Sequence, residues 1–170
     1  MAAEGRRIVL VRHAHAEPPR AGSDDVHREL TDRGRQQAAA TAAWLGGRGV
    51  RPDAVLCSVA VRARQTWDAL APQVPAAAVR YEEDLYGASA PALVHRLAEL
   101  EDGVGTVLVV GHEPTTSSAA GALAGDGSDG TALARVRAGV PTAGAVVLRA
   151  PGAWSDLAGG TCVLEALHAP

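Results

Sequence analysis

A chain of 170 residues with 47% hydrophobic and 21% charged residues can bury about two-thirds of its unfolded surface in one core, and it is read as a single domain over 1–170. The formal net charge of −3, with no basic run interleaved with aromatics, argues against a nucleic-acid surface, and no apolar run approaches the roughly 18 residues of a membrane span. All 16 basic residues are Arg and Phe is absent, so the core must be built from Leu, Val and Ala, and no single Arg is evidence of function by itself.

The N-terminal Met1-Ala-Ala-Glu-Gly-Arg-Arg lacks the apolar stretch of a signal peptide. Ile8 to Val11 is a continuous apolar run and the first expected strand. Thr31 offers an N-cap for a helix over 32–45 that Gly46-Gly47 ends. A strand over 54–57 follows, then a helix over 61–70 that stops before Pro72, then a strand over 78–81 leading into Glu82-Glu83-Asp84. Pro91 sits at the start of a helix carrying Leu93, Val94, Leu97 and Leu100 on one stripe. The run 106–110 is the most strand-like segment and is expected at the centre of the sheet. A helix over 115–123, a flexible loop rich in Gly and Asp, and strands over 145–148 and 162–167 complete the chain. This alternation predicts an α/β fold, three layers with a mostly parallel central sheet. Cys57 and Cys162 lie in apolar runs and read as buried free thiols, which suits a reducing cytoplasm.

In open α/β sheets, ligands sit outside the carboxyl ends of the strands, and four strand ends here carry polar side chains. They are Arg12-His13, Ser58 with Arg62 and Arg64 after it, Glu82-Glu83-Asp84, and Gly111-His112-Glu113. Guanidinium forks match phosphate oxygens and carry permanent charge. A neutral imidazole can attack phosphorus in line, and neighbouring Arg residues keep it unprotonated. The inventory therefore points to phosphoryl chemistry with no cofactor and no metal. His13-x-His15 lacks a third metal ligand at suitable spacing, and the nearby Arg residues oppose a cation.

Leu10-Val11-Arg12-His13-Ala14, the segment Ser58-x-x-x-Arg62-Ala63-x-x-Thr66 and Val109-Val110-Gly111-His112-Glu113-Pro114 together resemble the histidine phosphatase superfamily, in particular its short SixA-like phosphohistidine phosphatases. The likeness runs from Ile8 to about Leu148 and includes Arg28-Glu-Leu-Thr-Asp-Arg-Gly34 and Pro141-Thr142-Ala143. It implies a phosphoglycerate mutase-like fold, His13 as nucleophile, and Arg12, Arg62 and His112 as the phosphate pocket. It also implies Glu83 as proton donor, with Asp84 in reserve, and Arg28 and Ser58 as possible substrate contacts, Ser58 being alternatively a helix cap. Ala14 replaces the commoner Gly, and His15 stands where larger relatives often have Glu or Gln, shaping the pocket mouth or doing nothing. His27, His95 and His168 read as surface or loop residues.

Three functions follow from these residues. The first is phosphatase action on a phosphohistidine borne by a protein, the second a phosphomonoesterase for a small nucleotide or sugar phosphate, and the third a non-catalytic phosphate-binding domain. The substrate and the oligomeric state have no readable code.

Overall fold

The run Ile8–Val11 is apolar at every position because the strand it forms is covered on both faces. The computed structural model describes residues 5–150 and 152–170. Residues 1–4, where most of the N-terminal segment read above falls, and Pro151 lie outside the described residues. Strand β1 (Arg6–Arg12) pairs in parallel with β4 (Thr106–Gly111), which pairs in parallel with β2 (Ala54–Ser58), which pairs in parallel with β3 (Ala78–Glu82). On the other side of β1, β5 (Ala145–Ala150) runs antiparallel and β6 (Val163–His168) pairs antiparallel with it, giving the order β3-β2-β4-β1-β5-β6.

Alternate side chains feed two cores. Val9, Val11, Val55, Cys57, Leu108 and Val110 pack beneath α1 (Asp32–Gly47) and α2 (Val61–Leu70). Ile8, Leu10, Leu56, Val107, Val109 and Leu148 pack beneath α3 (Ala90–Ala98), α4 (Thr115–Leu123) and α5 (Gly130–Ala138). The result is the expected three-layer α/β/α arrangement around a mostly parallel sheet. β1 leads to α1 on one face while its neighbour β4 leads to α4 on the other, so the crevice at their carboxyl ends is a topological switch point. Arg12 pairs with Gly111 across that junction, which puts His13 and His112 side by side just beyond the sheet.

Two segments differ from expectation. The Gly- and Asp-rich stretch read as a flexible loop is stitched to β6, with Gly125 N–H donating to Cys162 O and Asp129 N–H to Leu164 O. It ends in α5, whose N-cap Asp129 accepts from Ala132 N–H at 2.7 Å. Three glycines in six residues hid the cap signal. His168 is not a free surface residue: its ring stacks on Trp44 with centroids 5.0 Å apart.

Gly34 has a packing role that its place near the start of α1 conceals. A Cβ there would lie 2.0 Å from the carbonyl oxygen of His15, so α1 approaches the loop carrying His13 only with glycine at this position. Ala is the better helix former by about 1 kcal/mol. Gly34→Ala is nevertheless expected to destabilise the protein by about 1–3 kcal/mol through overpacking, read as a lower denaturant midpoint. An unchanged or higher midpoint would contradict this close approach.

Candidate active site

A cavity of about 570 Å³ opens at the β1/β4 strand ends, lined among others by Arg12, His13, His15, Arg62, Tyr86 and His112. The loop after β1 is fixed at several points. His13 N–H donates to Gly111 O at 2.9 Å, and Ala14 N–H donates to Thr66 Oγ1 at 3.0 Å, whose hydroxyl donates in turn to Arg62 O at 2.7 Å. Ala143 N–H donates to His13 O at 3.1 Å from a left-handed backbone (φ 57°), a conformation that costs Ala about 1 kcal/mol or more and that neighbouring contacts enforce.

His13 Nδ1 donates to the carbonyl of Ala14 at 2.8 Å, and Arg62 Nε donates to His13 Nε2 at 3.3 Å. This pair of bonds selects the tautomer with its lone pair on Nε2, facing the cavity partner. His112 Nε2 pairs with Ser58 Oγ at 2.7 Å, and its Nδ1 stands 3.5 Å from Arg62 Nη2. The two imidazole centroids lie 5.2 Å apart. Arg62, 5% exposed, thus turns one edge of its guanidinium to both histidines.

Its other edge is clamped. Arg62 Nη1 donates to the backbone carbonyl of Asp25 at 2.9 Å and Nη2 to Asp25 Oδ2 at 3.0 Å. Asp25 sits on a 3-10 turn (Asp25–His27) and also accepts from Arg28 Nε at 2.7 Å and from the Tyr86 hydroxyl. The Tyr86 hydroxyl, then the Arg28 and Arg62 guanidiniums, hold its carboxyl down at about 2. Arg12 donates Nη1 to Val140 O at 2.9 Å, and its Nε is buried without a partner, a donor that an oxyanion would satisfy.

Burial, with Arg62 and Arg12 nearby, pushes His13 down to about 3 and His112 to about 4. Both imidazoles are therefore neutral near pH 7, and their ring resonances in an NMR titration are expected not to move between pH 8 and pH 5. Movement of the His13 resonance near pH 6.5 would overturn this. Both values lie below that of imidazole in the unfolded chain, so the unfolded chain takes up protons first. Stability consequently falls as pH drops from about 6.5 towards 4.

Of the residues singled out in the sequence, Arg12, His13, Arg28, Arg62 and His112 line one cavity, and His15 joins them. Ser58 does not reach it as a substrate contact: it is fully buried and holds His112, while Ala60 occupies the N-cap of α2. Glu83 is exposed and outside the cavity lining, and Asp84 lines a separate groove with Glu82 and Arg96. The reason is the 3-10 turn Glu83–Leu85, which seats Leu85 in the core and gives the cavity Tyr86 instead. Asp25 and Tyr86 were missed in the sequence. Asp25 lies in a polar loop without periodicity, but Tyr86 is one of two Tyr in a chain with no Phe, a rarity that would have marked it.

Buried Cys57 has its thiol pushed up to about 12 by desolvation, which suits a core residue and not a nucleophile. Among the described residues, no three His, Cys, Asp or Glu side chains gather to hold a metal ion, and no helix is long and apolar enough to cross a membrane.

The family model of the histidine phosphatase superfamily (branch 1) matches residues 8–90. An uncharacterized protein of Mycobacterium tuberculosis (strain ATCC 25618 / H37Rv) is 41% identical over 161 residues, 94% of this chain and 99% of that protein. The structure of the putative phosphohistidine phosphatase SixA from Nakamurella multipartitia is similar at TM-score 0.85 and 35% identity, covering 100% of this chain and 99% of that one. Its counterpart from Agrobacterium tumefaciens is similar at TM-score 0.82 and 29% identity, covering 98% and 99%. With two guanidiniums and two neutral imidazoles at the switch point of a phosphoglycerate mutase-like fold, the chain belongs to the histidine phosphatase superfamily.

Proposed function

We propose that the protein is a metal-independent phosphatase working through a phosphohistidine on His13, and that its substrate is a phosphohistidine carried by another protein. The observation that carries the reading is the tautomer of His13, with Nδ1 bonded to Ala14 O and the Nε2 lone pair facing Arg62 Nε. In the reaction, Arg62 and Arg12 take the non-bridging oxygens of the phosphoryl group and His13 Nε2 attacks phosphorus in line. His112 Nδ1 accepts from Arg62 Nη2 and its Nε2–H donates to Ser58 Oγ, so His112 holds the guanidinium in place for the phosphoryl group. Water then cleaves the phosphorus–nitrogen bond of His13 and releases phosphate.

The preference for a phosphoramidate is supported by the state of the cavity's two carboxylates, neither of which is free to act as an acid. Asp25 is held as a carboxylate by three donors, and Glu113 accepts from Ser117 N–H and Ser117 Oγ–H on its two oxygens. An imidazole leaving group needs less help from an acid than an alkoxide does. The likeness to proteins described as SixA phosphohistidine phosphatases agrees with this choice.

The experiment is a panel of a phosphohistidine protein, phosphotyrosine, nucleotides and sugar phosphates, with and without chelator. The expected result is fastest release from phosphohistidine, unaffected by chelation. Faster release from sugar phosphates or nucleotides would replace the substrate assignment by a small-metabolite phosphomonoesterase, and loss of activity on chelation would contradict the metal-independent mechanism.

A further inference from the structure

We propose that His15 is the proton carrier of this site, giving a proton to the leaving group in the first step and taking one from water in the second. This rests on the phosphatase reading above. His15 lines the same cavity as His13 and is half-buried. Its backbone N–H donates to Gln37 Oε1 at 3.0 Å and its carbonyl accepts from Thr31 N–H at 3.1 Å, so the residue does not drift with the loop. Its Nδ1 meets Thr31 Oγ1 at 2.7 Å; that oxygen also accepts from Gly34 N–H and places its own hydroxyl proton towards His15 O at 3.3 Å. The Thr31 hydroxyl proton being engaged, His15 Nδ1 is the donor of that pair, and Nε2 is left as the ring's free nitrogen, carrying a lone pair when neutral and a proton when charged.

The other groups around the cavity are committed elsewhere. Asp25 is held ionised, Glu113 spends both oxygens on Ser117, Tyr86 gives its hydroxyl proton to Asp25, and Thr142 gives its own to Gln37 Oε1 at 3.0 Å. His112 is wedged between Ser58 and Arg62. His15 alone among these side chains combines an anchored ring with a nitrogen unpaired in the protein. In the first step the bond from His13 Nε2 to phosphorus forms, the bond to the leaving atom breaks, and the proton on His15 Nε2 passes to that atom. In the second, water oxygen bonds phosphorus, the bond to His13 breaks, and a water proton returns to His15 Nε2. Protons balance over the cycle, and no other reactant is needed.

The test compares wild type and His15→Gln in the full chain on p-nitrophenyl phosphate, whose leaving group needs no proton, and on phenyl phosphate, whose leaving group does. The expected result for His15→Gln is kcat/KM within about threefold of wild type on p-nitrophenyl phosphate and reduced about 100-fold on phenyl phosphate. Phosphohistidine should also accumulate on the variant during turnover of p-nitrophenyl phosphate, because its hydrolysis has lost the base. Equal losses on both substrates would indicate a structural role and overturn the inference, as would no loss on either. A wild type that turns over neither ester nor a phosphohistidine protein would overturn the phosphatase reading itself, and this inference with it.

Discussion

His13→Gln is expected to lower kcat/KM by at least about 10⁴-fold on every substrate the protein accepts, with the fold retained. Glutamine keeps a polar side chain of similar reach but has no nucleophilic lone pair at nitrogen, so the covalent route closes. On the proposed mechanism Arg12 and Arg62 would still bind the phosphoryl group, so KM should change far less than kcat. The anchored position makes the result interpretable. His13 is fixed by its bond to Ala14 O and by the backbone bonds to Gly111 and Ala143, and most of these involve main-chain atoms that the substitution leaves in place. Circular dichroism and the denaturant midpoint would check that the loss is chemical. A residual rate within tenfold of wild type would remove His13 from the mechanism.

Arg62→Lys is the second large effect, with an expected loss of about 10²–10³-fold in kcat/KM. The guanidinium makes bonds in two directions at once, to His13 and His112 on one edge and to Asp25 on the other. An ammonium on a flexible stem can hold one side only, and it has no planar edge for two phosphoryl oxygens. The substitution also releases Asp25, whose carboxylate then keeps Arg28 and Tyr86 but loses its buried partner. A stability cost of about 2 kcal/mol is expected from the lost charge-assisted bonds, since Asp25 is partly exposed and water compensates in part. The charge is conserved in this variant, so a loss smaller than about threefold would mean that guanidinium geometry has no part in catalysis.

The mostly parallel sheet and the two strand ends that carry the histidines follow from features that a single sequence carries well. Long apolar runs such as Ile8–Val11 and Thr106–Val110 announce strands buried on both faces, and residues directly after them land on one rim. Arg12, His13 and His112 were legible for that reason, and Arg62 because it opens the helix following a strand. Asp25 and Tyr86 were not, because they reach the site through 3-10 turns whose direction is set by tertiary contacts, here the clamp on Arg62 and the seating of Leu85. The turn Glu83–Leu85 also explains why the family resemblance pointed to Glu83 when the fold places it outside the cavity lining. Ser58 shows a subtler limit. Its position after β2 marked it as important, but only the burial of its hydroxyl against His112 separates an orienting residue from one that touches substrate.

In the proposed reaction phosphate passes through His13, and trapping that intermediate is the most direct test. Wild type and His13→Gln would be mixed with ³²P-labelled substrate, quenched within milliseconds in alkali, and probed for label that survives base and is lost in acid. Acid-labile, base-stable label is expected on wild type, mapping to His13, with none on the variant. Measurable turnover by wild type with no such label, or label on any other residue, would contradict it.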